Sequence, residues 1–206
     1  MVEIDLPKPE LQAQERADIW EILQARRSLR NYTHHSLSLH QLSLLLWATQ
    51  GITFSYQNFH FRAAPSAGAL YPIETYVMIN SVEHLPKGIY NFDPLKFTLT
   101  TKKDEDLSRK LSKAALGQTM IEKAACVFIW TVIFHRSAWK YRDRAYRYSL
   151  LDCGHICQNL YLGSTAMGLG CCAIGAFHDE EVNGLLGVDG KSESAIYLAT
   201  IGYPAK

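Results

Sequence analysis

Val127-Phe128-Ile129-Trp130-Thr131-Val132-Ile133-Phe134 carries one hydroxyl and no charge. The run is short and rich in β-branched and aromatic residues, so it reads as a strand within residues 125–134. Polar and apolar side chains do not alternate along it, and both of its faces must therefore be covered. That requirement asks for a layer on each side of a sheet. Residues 73–79 repeat the texture, residues 195–201 supply a further strand, and residues 88–92 and 96–101 flank Asp93-Pro94 as a hairpin.

Helical patterns surround these strands. Residues 18–25 read as a first helix. Ser38 and Gln41 form an S-x-x-Q capping box that opens a helix over 38–50, with Leu39, Leu42, Leu46 and Thr49 on its inner face. Gly51 stands where a left-handed C-terminal residue is wanted. Residues 144–167 lack proline, and Leu150, Gly154, Cys157 and Tyr161 recur at helical spacing beside Gly163, Ser164 and Ala166. They describe a long helix packed closely against another backbone and ending at Gly168 and Gly170. Residues 179–186 form a short helix with acids in its first turn and Gly187 behind its last. No regular βαβ rhythm appears, so the expected class is α+β, a sheet with helices on both faces.

Of the 206 residues, 48% are apolar, enough for a sizeable core. The 21 Lys+Arg nearly balance the 20 Asp+Glu, which disfavours nucleic acid and membrane surfaces as partners and leaves small molecules or other proteins. Residues 1–14, with Pro7 and Pro9, read as a loosely held arm, and residues 15–206 as one domain without repeats or linkers. With neither a signal-peptide run nor a membrane-length apolar stretch, a cytoplasmic location is expected. Five cysteines, two of them adjacent, fit reduced thiols better than a disulfide framework. Cys153, His155, Cys157, Cys171 and Cys172 have the elements for zinc, but small thiols packing a tight helix junction are the stronger reading, and no metal is expected. Walker, dinucleotide, nucleophile-elbow and zincin motifs are absent.

Four clusters could carry chemistry. Arg26, Arg27, Ser28 and Arg30 suit a phosphate clamp, or else a solvated helix end. Arg62-Ala-Ala-Pro-Ser-Ala-Gly-Ala-Leu-Tyr-Pro72 brackets tiny side chains with prolines, which lets a backbone approach a flat ligand or forms a tight loop capped by Tyr71. Residues 140–148 interleave cations with aromatic rings, either as a site where the Lys140 and Tyr141 protons act or as a solvated helix start with Arg142, Arg144 and Arg147 in ion pairs. Residues 168–177 present backbone amides beside small side chains, suited to an electron-rich ring edge or simply to ending a helix.

Taken in order, these segments resemble the nitroreductase superfamily, and within it the SagB-type dehydrogenases that include thiazole- and oxazole-forming azoline oxidases. The resemblance covers residues 18–204 and rests on residues 26–30, 65–72, 116–118, 140–148, 154–160, 168–170 and 174–177. It implies a three-layer α/β/α fold with a central, mainly antiparallel sheet and a long core helix. It further implies an FMN-dependent oxidoreductase built as a homodimer, with each flavin between subunits. Arg26, Arg27, Ser28 and Arg30 would then hold the ribityl phosphate. Pro65, Ser66, Ala67 and Gly68 would lie against the ring from the partner subunit, with Gln118 on its pyrimidine side and the Gly175 and Ala176 amides near N5. Lys140 and Tyr141 match the pair that azoline oxidases use to remove a proton.

Ala69 and Gly175 depart from the Asn and Glu of simple nitroreductases, so hydrogen bonding to the ring is expected to differ. No Lys-x-Arg tail precedes Lys206, which leaves the phosphate grip to residues 26–30. A modified-peptide substrate would need its docking partner on another chain. The alternatives are an NAD(P)H-driven nitro or quinone reductase and a non-catalytic flavin-binding scaffold of a biosynthetic complex.

Overall fold

The computed structural model describes residues 2–9 and 17–205. Seven strands make one sheet in the order β1 (Glu3–Asp5), β6 (Thr98–Lys103), β5 (Gly88–Asp93), β4 (Ile73–Ile79), β7 (Cys126–Val132), β9 (Ser194–Gly202) and β8 (Gly170–Ile174). Every neighbouring pair is antiparallel. A separate hairpin joins β2 (Ile52–Tyr56) to β3 (Phe59–Arg62). The helices are α1 (Ile19–Ala25), α2 (Leu39–Gln50), α3 (Ser108–Ala114), α4 (Met120–Lys123), α5 (His135–Tyr141), α6 (Arg144–Ala166) and α7 (Asp179–Leu186).

The unbroken apolar run is explained by its position. All of β7 is buried. Cys126, Phe128, Trp130 and Val132 pack on Leu42 and Leu46 of α2 and Ile156 and Leu160 of α6. Val127 and Ile129 pack on the other side against Leu111, Ile121 and Val182 from α3, α4 and α7. Each such side chain contributes about 1.5–3 kcal/mol by leaving water, so a polar residue on either face would be costly. The strand stops at Val132, short of Phe134, because the chain turns there into α5.

Several local expectations are met. The Ser38–Gln41 box is formed in both directions, and Leu42, Leu46 and Thr49 are fully buried. The Asp93 turn closes through its side chain, whose Oδ1 accepts from the Leu95 and Lys96 amides. All five cysteines are buried and free.

Others are corrected. Gly51 is extended, not left-handed, and its need for glycine is steric, since a Cβ would lie 2.2 Å from Trp47 Cδ1. The N-terminal segment is not loose where it is described: Glu3–Asp5 pairs with β6 and Leu6 is buried. The rest of the expected arm, residues 1 and 10–14, lies outside the described residues. On α6 the proposed stripe divides, for Cys157 and Tyr161 are buried while Leu150 and Gly154 are exposed. Among the described residues no helix is long and apolar enough to cross a membrane.

Gln50, at the end of α2, ties the two halves of this architecture together. Its Nε2 donates to the Ile73 carbonyl at 3.1 Å and to Thr75 Oγ1 at 2.8 Å, and its Oε1 accepts from Arg62 Nη1 at 2.6 Å. Gln50→Leu keeps the volume but leaves a largely buried guanidinium without that acceptor. Urea denaturation is expected to show a loss of about 2–4 kcal/mol.

Candidate functional site

The loop between β3 and β4 is held by one carboxylate. Ser66 Oγ donates to Asp152 Oδ2 at 2.6 Å, and the Ala67 amide donates to Asp152 Oδ1 at 3.1 Å. Ser66 Oγ also accepts from the Tyr71 amide at 2.9 Å, closing the loop on itself. Asp152 is 4% exposed on α6. Burial pushes its pKa up, and the bonds from Ser66 and Ala67 work against that rise. Behind the loop, the Arg62 guanidinium lies 4.5 Å above the Tyr71 ring, and Arg136 donates to Glu74 and to the Tyr71 carbonyl.

This scaffold brings the loop to Lys140 and Tyr141. Gly68 has φ +63°, and a Cβ built there would lie 2.6 Å from Tyr141 Oη and 2.8 Å from Lys140 Nζ. Only a residue without a side chain lets both groups reach the loop backbone. The pair sits in the last turn of α5, which Arg142 terminates at φ +49°. Tyr148 of α6 packs edge-on against Tyr141, with ring centroids 4.9 Å apart. A cavity of about 710 Å3 opens onto Pro65, Ser66, Gly68 and Ala69, with Phe59 and Phe61 as its wall.

A second group forms elsewhere on the chain. Ser28 bridges to Cys171 of β8, and the Leu29 amide donates to the Cys171 carbonyl at 2.9 Å. Tyr161 of α6 accepts from the Ala173 amide at 2.8 Å, shares a 2.9 Å bond with Ser28 Oγ, and lies 5.3 Å beneath the Arg26 guanidinium. Arg27 Nη1 donates to the Gln24 and Arg26 carbonyls, and Arg30 Nη1 to Ser28 O at 3.4 Å. Arg30 and Gln118 line one cavity of about 280 Å3. Gln118 Nε2 also donates to the Ala176 carbonyl at 3.2 Å, next to Gly175 at the exposed end of β8.

The anticipated residues thus gather as two sets: Pro65, Ser66, Ala67 and Gly68 with Lys140 and Tyr141, and Arg26, Arg27, Ser28 and Arg30 with Gln118, Gly175 and Ala176. Their anchors on α6, Asp152 and Tyr161, are about 13 Å apart along the axis and about half a turn apart around it. Sequence reasoning missed both anchors. A lone Asp between Leu151 and Cys153 was the available signal for one; Tyr161 had none beyond helical spacing.

The first set offers a small-residue cradle, an ammonium and a phenol. The second offers the exposed guanidiniums of Arg27 and Arg30 and the half-buried one of Arg26, which, among the described residues, pair with no carboxylate. Such uncompensated cations suit a dianionic phosphate, and an open glycine-alanine backbone suits a ring edge. The chemistry of the two sets fits a flavin mononucleotide. No three His, Cys, Asp or Glu converge as a metal cluster among the described residues, and Arg142, Arg144 and Arg147 have no carboxylate partner there.

Asp152→Ala is expected to destabilise the fold by about 2–4 kcal/mol and to speed hydrogen exchange at the Ala67 amide. Since folding raises this carboxyl's pKa, its contribution is full below the ordinary aspartate range and falls as pH rises through the raised value. Asp152→Asn should flatten that part of the stability profile.

Comparison with known proteins places the chain. The profile of the nitroreductase family matches residues 23–203. The chain is 36% identical over 182 residues to MJ1384 of Methanocaldococcus jannaschii, a protein named as a candidate nitroreductase, covering 88% of this chain and 89% of that one. A crystal structure of a candidate nitroreductase from Ralstonia eutropha JMP134 superposes with a TM-score of 0.84 at 27% identity, covering 99% of this chain and 90% of its own. From Escherichia coli, the Microcin B17-processing protein McbC is 28% identical over 148 residues, covering 68% of this chain and 54% of McbC. The solved microcin synthetase McbBCD complex with truncated pro-MccB17 shares the fold at a TM-score of 0.75 and 23% identity, covering 85% of this chain and 68% of the matched one. The chain spans most of MJ1384 but about half of McbC, and the likeness to McbC supports the SagB-type branch. This chain belongs to the nitroreductase family.

Proposed function

We propose that the protein is an FMN-dependent oxidoreductase of the SagB type, a homodimer that dehydrogenates an azoline-like ring in a small molecule or a modified peptide. The observation that carries this reading is the meeting of Lys140 Nζ and Tyr141 Oη at Gly68, in the loop where the family resemblance seats the flavin ring. Arg26, Arg27, Ser28 and Arg30 hold the phosphate of one flavin, and Gln118, Gly175 and Ala176 meet its ring edge. Pro65, Ser66, Ala67 and Gly68 of the other subunit cover the ring face. FMN, when bound, supplies a two-electron acceptor for hydride. Oxidising an azoline removes a hydride from one carbon and a proton from its neighbour, and Lys140 with Tyr141 receives that proton. The name of McbC, a protein that processes microcin B17, supports a peptide-derived substrate.

Two features support a site shared between two copies. The anchors of the two sets, Asp152 and Tyr161, are about half a turn apart around α6, so the sets lie on different sides of that helix. Leu150, Leu151 and Gly154 form an exposed side of α6, and among the described residues nothing beyond the helix's own adjacent backbone lies within 4 Å of a Cβ built on Gly154. A glycine inside an exposed helix costs about 1 kcal/mol relative to alanine, a cost that close approach of a second helix offsets. An antiparallel two-fold pairing across Gly154 would set Asp152 of one α6 beside Ile156 of the other, so that the two helices run past each other with their Tyr161 ends apart.

The likeness to MJ1384 favours a second reading, an NAD(P)H-dependent nitro or quinone reductase on the same cofactor.

Purified protein is expected to be yellow and to release FMN on denaturation; colourless protein that fails to bind added FMN defeats both readings. Lys140→Ala should lower kcat for azoline oxidation about a hundredfold while FMN content is retained. Rapid anaerobic bleaching by NADPH, restored by a nitroarene and indifferent to Lys140→Ala, would instead establish the reductase. Gly154→Trp should leave the circular-dichroism spectrum intact yet give a monomer in sedimentation, with FMN affinity at least tenfold weaker.

A further inference from the structure

The β2–β3 hairpin stands apart from the main sheet and carries four aromatic rings. Phe54 lies opposite Phe61, and Tyr56 opposite Phe59, so cross-strand pairing puts all four on one face. Ser55 and His60 stand on the reverse face and bond to each other at 3.0 Å. The aromatic face is open: Phe54 is 61%, Tyr56 60%, Phe59 60% and Phe61 39% exposed. Single exposed rings are ordinary, but a contiguous aromatic face marks a binding surface.

Its position says what it binds. Phe59 and Phe61 wall the cavity of about 710 Å3 that continues to Pro65, Ser66 and Gly68. Gly68, which lines that cavity, is also where Lys140 and Tyr141 converge, so the rings and the two protons border the same loop. That volume lies in the range of small-ligand sites. The aromatic face itself carries no ionisable group apart from the Tyr56 phenol, and Arg62, the nearby cation, is already occupied by Gln50 and stacked on Tyr71. The aromatic face thus offers no charged partner of its own, and a flat ring is what it can grip, by offset or edge-to-face stacking.

We propose that the aromatic face of the β2–β3 hairpin is a specificity wall, with Phe59 and Phe61 selecting substrates that bear a planar, uncharged ring next to the reacting carbon. The proposal deepens the oxidoreductase reading and rests on it for the identity of the reaction. Phe59 and Phe61 are specificity residues here and take no part in proton removal.

The test uses the full-length protein as purified, titrated by calorimetry with 2-phenylthiazole and 2-methylthiazole. The wild type should favour the phenyl compound by about tenfold or more, and Phe59→Ala with Phe61→Ala should reduce that preference to about twofold or less. FMN content and oligomeric state are measured on the same samples and should not change. A wild type without ring preference, no binding of either compound, or variants that keep the preference overturns the proposal. So does a double variant that becomes monomeric, since the rings would then belong to the contact between copies. A wild type that holds no FMN yet shows the ring preference keeps the wall and sinks the cofactor reading, so the two failures are distinguishable.

Discussion

A buried carboxylate must find donors, and Asp152 on α6 finds them in Ser66 and the Ala67 amide. The constraint runs in both directions. The loop of tiny residues has almost no side chains with which to fix itself, so it takes its shape from an acid on α6 that it does not contain. Tyr71 completes the arrangement through its amide to Ser66 and its ring beneath Arg62. With the loop pinned, Gly68 is presented to Lys140 and Tyr141, and the chemistry of the first set of residues follows from that one bridge.

Helix α6 serves both sets. Asp152 fixes the loop near its start, and Tyr161 fixes Ser28 and β8 further along. Because the two anchors point to different sides, the helix spaces the parts of the site instead of enclosing them. Its buried face joins the core that covers β7, while Leu150, Leu151 and Gly154 remain outside. One element thus carries a core face, two anchor points and an unpartnered surface.

The layers were legible because burial on two faces leaves a mark in composition: the run from Val127 to Val132 has no polar alternation to lose. The Ser38–Gln41 box was legible because capping is local. β8 was not, since Gly170, Cys171 and Cys172 have little strand propensity and are held by pairing with β9 and the bridge to Ser28. Gly51 was assigned for the wrong reason, as a single sequence cannot distinguish a glycine needed for positive φ from one needed to clear Trp47. The candidate site divides similarly. Arg26 to Arg30 and Pro65 to Gly68 announce themselves by type, whereas Asp152, Tyr161 and Gln50 act through contacts distant in sequence.

The placement of β9 carries a consequence for biosynthesis. β8 joins the sheet only through β9, and β9 is the later of the two to be made, so the earlier strand has no seat until its neighbour has emerged. Ser28 and the arginines around it lean on β8 in turn. The arginine-bearing segment around Ser28 therefore cannot reach its final support before β9 is made, although its own residues precede β9 in the chain.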